Sequence, residues 1–235
     1  MHNDGMLQNI AVVSVDMFQT LVNVDSRCHP FWQQVLGENY TQERAAAYWS
    51  LLKSFLYGEY RILFANDYRF VRARTVAERS FKKMFAHLGL DLDPAHTAGV
   101  FVKEHGLAAP FNDTNAFLQG VGKLFPVCLV SDADEEMIGP LRNLHNFDHI
   151  FTSEQVGAYK NSPGGELFRS VAEHYGLAAE QILHIGDSPF DVLGAGRAGF
   201  ITCWLNRFER MWEYEFQPYR VVASLWEAAA LLGAG

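Results

Sequence analysis

The sequence has little of what secreted, membrane-embedded or nucleic-acid-binding proteins are built from. Its 235 residues include only three cysteines, with no CxxC pair, so we expect reduced thiols rather than a disulfide framework. No apolar run approaches the roughly 20 residues of a membrane helix, and the start lacks the features of a signal peptide. Acidic residues outnumber basic ones by 27 to 19, which disfavours nucleic acid as a partner. We therefore predict a cytoplasmic globular protein, monomeric or homodimeric.

Six short apolar runs alternate with helix-like stretches along most of the chain. The runs are continuous in their apolar character, as in strands that helices cover on both faces. Repeated strand, helix and strand give a parallel sheet with right-handed crossovers. The runs are residues 10–16, 125–132, 148–153, 181–187, 200–206 and 219–224. The sequence therefore predicts an α/β fold with a Rossmann-like, doubly wound parallel sheet.

Residues 22–108 have a different pattern. They form long amphipathic helical stretches with no clear strand, and they hold many of the aromatic and basic residues. We therefore predict an α/β core domain of residues 1–21 and 109–235, interrupted by a helical-bundle cap domain of residues 22–108.

Polar residues stand at or just after several of the predicted strands. Asp16 and Ser131 end two of them, Lys160 follows a third, and Asp187 and Asp191 follow a fourth. Each has a purely structural explanation, as a helix cap, a turn residue or a solvated lysine. Ligands of open α/β sheets bind at the carboxyl ends of the strands, however. The shared position of these residues therefore indicates one site, where paired carboxylates suit Mg²⁺.

The ordered set of residues resembles the haloacid dehalogenase-like superfamily of hydrolases, in the subclass with a helical cap after the first motif. The family's first motif is an apolar strand followed by D-x-x-x-T-L, and its last is G-D-S-x-x-D. In chain order the four motifs match Asp16, Thr20 and Leu21; Ser131; Lys160; and Gly186, Asp187, Ser188 and Asp191. The match extends over the whole chain.

The resemblance implies a role for each matched residue. Asp16 would be the nucleophile that forms a covalent aspartyl intermediate, which water hydrolyses. Mg²⁺ would be held by Asp16, the backbone carbonyl of Phe18 and Asp187, with Asp191 in support. The remaining catalytic or substrate-binding residues would be Thr20, Ser131, Asp132 and Lys160.

Phe18 departs from the family's phosphatases, which carry an acid at this position. Phenylalanine cannot protonate a leaving group, and general acid–base catalysis typically contributes ~10²–10⁴-fold in rate. The family's 2-haloacid dehalogenases carry an aromatic residue there and use no metal. However, those dehalogenases lack a counterpart of Asp187, and they have Asn where this chain has Asp132. Their Trp-Arg cap signature is also missing from this sequence.

From these residues we predict a Mg²⁺-dependent phosphatase that acts on a small phosphorylated metabolite. Two alternatives stay open. The first is a 2-haloacid dehalogenase-type hydrolase that uses the same Asp16 without metal. The second is a binding module whose catalysis has weakened.

Overall fold

The computed structural model describes residues 4–67 and 69–234, which form two compact units. The first, which we call the α/β unit, comprises Met1–Val22, Pro110–Asp132 and Leu144–Gly235. The second, the helical unit, comprises Asn23–Ala109 and Ala133–Asn143. None of the helices in this part of the chain is long and apolar enough to cross a membrane.

A six-stranded parallel sheet forms the centre of the α/β unit, in the order β5-β4-β1-β6-β7-β8. In the described residues the strands are β1 (Val12–Val15), β2 (Val22–Asn23), β3 (Ala109–Pro110), β4 (Val127–Ser131), β5 (Ile150–Thr152), β6 (Ile182–Gly186), β7 (Ile201–Leu205) and β8 (Arg220–Val222). Strands β2 and β3 pair separately. Each predicted run contains one strand of the large sheet, so the predicted α/β fold is confirmed.

Helices in the described residues divide between the two units. They are α1 (Cys28–Leu36), α2 (Gln42–Ala65), α3 (Ala73–Leu88), α4 (Pro94–His105), α5 (Thr114–Val121), α6 (Glu135–Ile138), α7 (Ser153–Val156), α8 (Glu166–Tyr175), α9 (Pro189–Arg197) and α10 (Leu225–Leu231). In the α/β unit, α8 buries Leu167, Phe168 and Val171 against the sheet. Burial of each such side chain contributes about 1.5–3 kcal/mol to folding.

Aromatic packing and paired charges hold the helical unit together. Phe31 on α1 lies 4.8 Å from Trp32 and 5.7 Å from Phe81 between ring centroids, and both Phe31 and Trp32 are fully buried. The buried Glu104 accepts hydrogen bonds from Arg27 at 2.6 Å and from Gln34 at 2.6 Å. These contacts give the inserted segment a core of its own.

Apart from single residues at the boundaries, Val22 and Ala109, the two units differ from the predicted domains at one segment. Residues 133–143 belong to the helical unit, although the sequence analysis assigned them to the core domain. Asp134 explains the difference, because its carboxylate accepts the backbone N–H groups of Ala73 at 2.8 Å and Arg74 at 2.9 Å, in the first turn of α3. This acceptor satisfies helix donors that otherwise have no partner.

Candidate active site

The sheet order brings the ends of β1, β4 and β6 side by side, because β1 pairs with β4 and with β6. Asp16 follows β1, Ser131 ends β4 and Asp187 follows β6, so all three lie at one edge of the sheet. All three are buried, and so is Lys160, which reaches this edge from the loop after α7. The sequence-predicted residues therefore meet in the α/β unit.

Lys160 is the central cation of this edge. Its Nζ lies 2.5 Å from Oδ1 of Asp16 and 2.5 Å from Oδ1 of Asp191. Burial alone lowers the pKa of a lysine, but the two carboxylates outweigh it and raise the pKa above its usual range. Lys160 is therefore protonated at neutral pH and holds both carboxylates.

Asp16 is a buried carboxylate, and one of its oxygens accepts a hydrogen bond from Lys160. Burial raises its pKa to about 6, while the charge of Lys160 and a hydrogen bond from Thr20 act in the opposite direction. Thr20 also accepts the backbone N–H of Asp187 at 3.1 Å, so it ties the loop after β1 to the loop after β6. At pH 7 and above, Asp16 is mainly ionised and suited to attack.

Asp191 has every lone-pair direction occupied by a donor. Its Oδ1 accepts from Lys160 and, at 3.0 Å, from His184 Nε2, and its Oδ2 accepts from the backbone N–H of Ser188 at 2.9 Å and from its hydroxyl at 2.7 Å. Burial disfavours the ionised form, but Lys160 and His184 outweigh it and hold the pKa of Asp191 below its usual range. Asp191 thus caps α9, as the structural interpretation allowed, and also positions Lys160.

His184, inside the apolar run of residues 181–187, is connected to this network. It is buried in β6, and its Nδ1 lies 2.7 Å from Oγ of Ser14. Burial lowers the pKa of His184, so the neutral ring donates from Nε2 to Asp191 and accepts the Ser14 hydroxyl at Nδ1. The signal in the sequence was a polar residue inside each of two apolar runs. Ser14 is one residue before the end of β1 and His184 is two residues before the end of β6, and the two are paired in the sheet.

Arg210, which sequence reasoning did not select, contacts Asp187. Its Nη2 donates to the Asp187 main-chain oxygen at 2.5 Å and to Oδ2 at 3.1 Å. Burial raises the pKa of Asp187 to about 7, with Asp191 and Asp16 adding to the rise and Arg210 opposing it. No local pattern in the sequence indicated this contact, which joins residues 23 positions apart.

Phe18 lies half-buried in the tight turn after β1, where the backbone N–H groups of Leu21 and Val22 both donate to the oxygen of Met17, at 2.9 and 3.0 Å. Its neighbour Gln19 has φ of +65°, in the left-handed region that favours glycine. The turn therefore places a phenyl ring, with no proton to give, two residues after Asp16.

Ser131 and Asp132 complete the edge. The Ser131 hydroxyl is buried and has no hydrogen-bond partner in the part of the chain that the structure describes. Asp132 accepts the backbone N–H of Lys160 at 2.9 Å, and burial raises its pKa to about 7, against the opposing charge of Lys160. An orphaned buried hydroxyl is costly unless a ligand uses it, which fits a substrate-binding role for Ser131.

The donor set at this edge is compatible with a divalent cation. Asp16, Asp187 and Asp191 each offer a carboxylate oxygen, and these oxygens lie within 4.8 Å of one another. Among the described residues here, four carboxylates, with Asp132 included, face two cations. Since the oxygens of Asp191 are taken, Asp16 and Asp187 fit a cation best. The predicted role of the Phe18 carbonyl stays a prediction.

Comparison with known proteins identifies the family. A model of haloacid dehalogenase-like hydrolases matches residues 10–199. An (S)-2-haloacid dehalogenase of Pseudomonas sp. strain YL is 28% identical over 184 residues, which is 73% of this chain and 78% of that protein.

Two solved structures show how far the fold agrees. The L-2-haloacid dehalogenase of Xanthobacter autotrophicus with chloropropionic acid covalently bound has a TM-score of 0.80 at 19% identity, over 95% of this chain and 98% of that one. The HAD-hydrolase YfnB of Bacillus subtilis bound to magnesium has a TM-score of 0.81 at 20% identity, with the same coverage of 95% and 98%. With the matched motifs gathered at one sheet edge, the chain belongs to the haloacid dehalogenase-like hydrolases.

Proposed function

We propose that this hydrolase displaces a leaving group through Asp16 without a resident general acid, and that 2-haloacids are its first candidate substrates. Phe18 carries the proposal. A halide leaves as a stable anion and needs no proton, whereas an alkoxide does. This ranking reverses the order that the sequence predicted, in which the Mg²⁺-dependent phosphatase came first.

The geometry suits a two-step displacement. Lys160 holds Oδ1 of Asp16, so we assign the attack to Oδ2. In the first step Oδ2 forms a bond to the carbon that bears the halogen, the carbon–halogen bond breaks and halide leaves with the electron pair. In the second step water attacks Cγ of Asp16, which releases the 2-hydroxyacid and one proton and restores the carboxylate.

Comparisons with known proteins support this choice over the phosphatase. The relative from Pseudomonas sp. strain YL is an (S)-2-haloacid dehalogenase, and the Xanthobacter dehalogenase was solved with chloropropionic acid covalently bound. An ester of this kind on Asp16 is the intermediate that the proposed reaction requires.

Mg²⁺-dependent hydrolysis of a phosphate ester is the second candidate, favoured by the excess of carboxylates over cations at the site. Asp16 and Asp187 would hold the ion, which would neutralise charge on the phosphoryl group. Binding of magnesium by the YfnB structure shows that a related fold takes the ion. Without a proton donor at Phe18, aryl, acyl and enol phosphates would be better substrates than alkyl phosphates.

Product analysis separates the two candidates. Purified protein is incubated with 2-chloro- and 2-bromopropionate in excess chelator, with halide detection, and in parallel with aryl and alkyl phosphates plus Mg²⁺. We expect halide release that chelator does not change. Release of phosphate alone, and only with Mg²⁺, would favour the second candidate.

Heavy-oxygen water tests the covalent step directly. Over repeated turnovers, water attack at Cγ should place heavy oxygen in the Asp16 side chain, which peptide mass spectrometry detects. Asp148, an exposed aspartate of the same unit, is the internal control. Turnover without label in Asp16 would exclude the ester. If no tested substrate gives either turnover or label, the weakened binding module is the better interpretation.

A further inference from the structure

We propose that Arg210 is a resident counter-cation of Asp187, and that it competes with divalent cations for this carboxylate. The inference rests on the proposed function only in placing Asp187 in the active site. Arg210 would thus decide how readily this family member takes a metal ion, and a site with its own cation can operate without one.

The contact between Arg210 and Asp187 uses two acceptors on one residue. Nη2 donates to the main-chain oxygen and to Oδ2. The Nε1–H of Trp204 donates to the same main-chain oxygen at 2.8 Å. The backbone of Asp187 is therefore fixed from two sides, with its carboxylate toward the guanidinium.

The loop that carries Arg210 is built to hold it in place. Asn206 Oδ1 accepts the backbone N–H of Arg210 at 2.8 Å, and Asn206 Nδ2 donates back to its oxygen at 2.9 Å. Asn206 itself follows β7 and donates its N–H to Val222 at 2.7 Å. Between them, Glu209 has φ of +51°. A reciprocal pair of hydrogen bonds around a residue with positive φ indicates a specific loop conformation.

A second arginine fixes the same loop to the motif of the nucleophile. Arg207 donates to both carboxylate oxygens of Asp113, at 2.8 and 2.9 Å, and to the main-chain oxygen of Thr20 at 3.0 Å. Arg207 is nearly buried, whereas the side chain of Arg210 is 42% exposed. Arg207 therefore anchors the loop, and the guanidinium of Arg210 is free to move toward solvent.

Competition follows from charge and from geometry. A divalent cation at Asp16 and Asp187 would need the carboxylate that Arg210 contacts, and two positive groups a few ångströms apart repel each other. The repulsion between a unit charge and a divalent ion about 5 Å apart corresponds to roughly tenfold in affinity even in a water-like dielectric. Cation binding is thus coupled to displacement of Arg210.

The test measures Mn²⁺ binding, since Mn²⁺ takes the same oxygen ligands as Mg²⁺ and its free form is counted by electron paramagnetic resonance. Arg210→Gln removes the charge, and Arg210→Lys keeps it. Arg169→Gln is the matched control, because Arg169 is an exposed arginine of the same unit whose partner, Glu166, is 3.9 Å away.

We expect Arg210→Gln to bind Mn²⁺ about 10-fold more tightly than wild type, while Arg210→Lys and Arg169→Gln stay within about 3-fold of it. The double variant Arg210→Gln, Asp187→Asn should lose the gain. Circular dichroism and thermal unfolding establish that each variant is folded, and Arg210→Met, which also removes the charge, replaces Arg210→Gln if that variant is not.

Equal Mn²⁺ affinity of Arg210→Gln and Arg169→Gln would overturn the inference, as would a gain that survives removal of the Asp187 carboxylate. These outcomes do not depend on turnover. If no substrate is hydrolysed but Arg210→Gln gains affinity, the proposed function fails and the inference stands. If halide is released but Arg210→Gln gains nothing, the reverse holds.

Discussion

The two units of the molecule bury charge in opposite ways. In the helical unit Glu104 is buried against Arg27, and Glu59 is buried with Lys83 as its partner. Each of these two glutamates has its own cation. At the edge of the sheet in the α/β unit, four carboxylates face two cations, and Lys160 is shared between Asp16 and Asp191.

This difference shows that burial of charged residues alone does not mark a site. Glu104 is as well buried as Asp16, yet its carboxylate is satisfied by Arg27 and Gln34 and serves to join helices. The imbalance distinguishes the sheet edge, where burial raises the pKa of Asp16, Asp132 and Asp187 and the nearby cations do not offset the rise. Perturbed titration of several groups in one place is typical of functional sites.

The largest effect is expected at Asp16. Asp16→Asn removes the proposed nucleophile, so turnover should fall by about 10⁴-fold or more, and no adduct should form. Asp148→Asn, on the surface of the same unit, should leave the rate unchanged. Steady-state kinetics and intact-protein mass spectrometry check the outcome. Retention of even a tenth of the activity would show that the excess of carboxylates at the sheet edge does not serve catalysis.

The helical unit should respond in stability rather than in chemistry. Glu104→Ala leaves Arg27 without its buried partner and should lower the free energy of unfolding by about 3 kcal/mol. Glu136→Ala breaks an exposed pair with Arg74 and should cost less than about 1 kcal/mol. Urea denaturation measures both, and similar small costs would mean that paired charges in the helical unit are dispensable.

Phe18→Asp adds a fifth carboxylate to the acidic edge and supplies the missing acid. We expect it to raise kcat/KM for alkyl phosphates by up to ~10²-fold, with less effect on aryl phosphates, because only alkoxides need the proton. Phe18→Leu, which removes the ring without adding an acid, is the control. If wild-type rates are independent of the pKa of the leaving group and show no burst, an acid is present in the site despite Phe18.

The smallest effect concerns Asp132, whose pKa burial raises from 3.8 to about 7. The folded state then binds more protons than the unfolded state between these values, so stability falls as pH rises from about 4 to 7. Asp132→Asn keeps an acceptor for the backbone of Lys160 and removes the buried charge. It should stabilise the protein at pH 8, where the wild-type carboxylate is charged, and change its stability by almost nothing at pH 4. Thermal unfolding at both pH values checks this, and an equal effect at each would contradict it.

The sequence predicted the sheet well because parallel strands buried on both faces are continuous apolar runs. The residues that end those runs followed from the same rule, since the carboxyl ends of neighbouring parallel strands share one edge. This rule located Asp16, Ser131, Lys160, Asp187 and Asp191 before the family motifs gave them roles.

Side-chain contacts from outside the motifs could not be predicted in this way. Arg210 reaches Asp187 from an irregular loop, where no periodicity constrains direction. His184 lies inside a strand whose apolar neighbours favoured a packing role, and its hydrogen bond with Ser14 depends on the register between β1 and β6. Residues 133–143 join the helical unit through the Asp134 carboxylate, a contact across 60 residues of chain.

The central position of β1 has a consequence for how the chain is made. Val13 pairs with Val127 on β4, 114 residues later, and with Leu183 on β6, 170 residues later. At about 5–20 residues per second, a ribosome takes roughly 6 to 23 s to reach the first partner. During that time the segment Asn23–Ala109 can begin to collapse, because its aromatic contacts lie within its own span. Both edges of β1 are still unpaired. Contacts of such long range close slowly, so Asp16 is among the first residues synthesised and its site among the last parts of the protein to assemble.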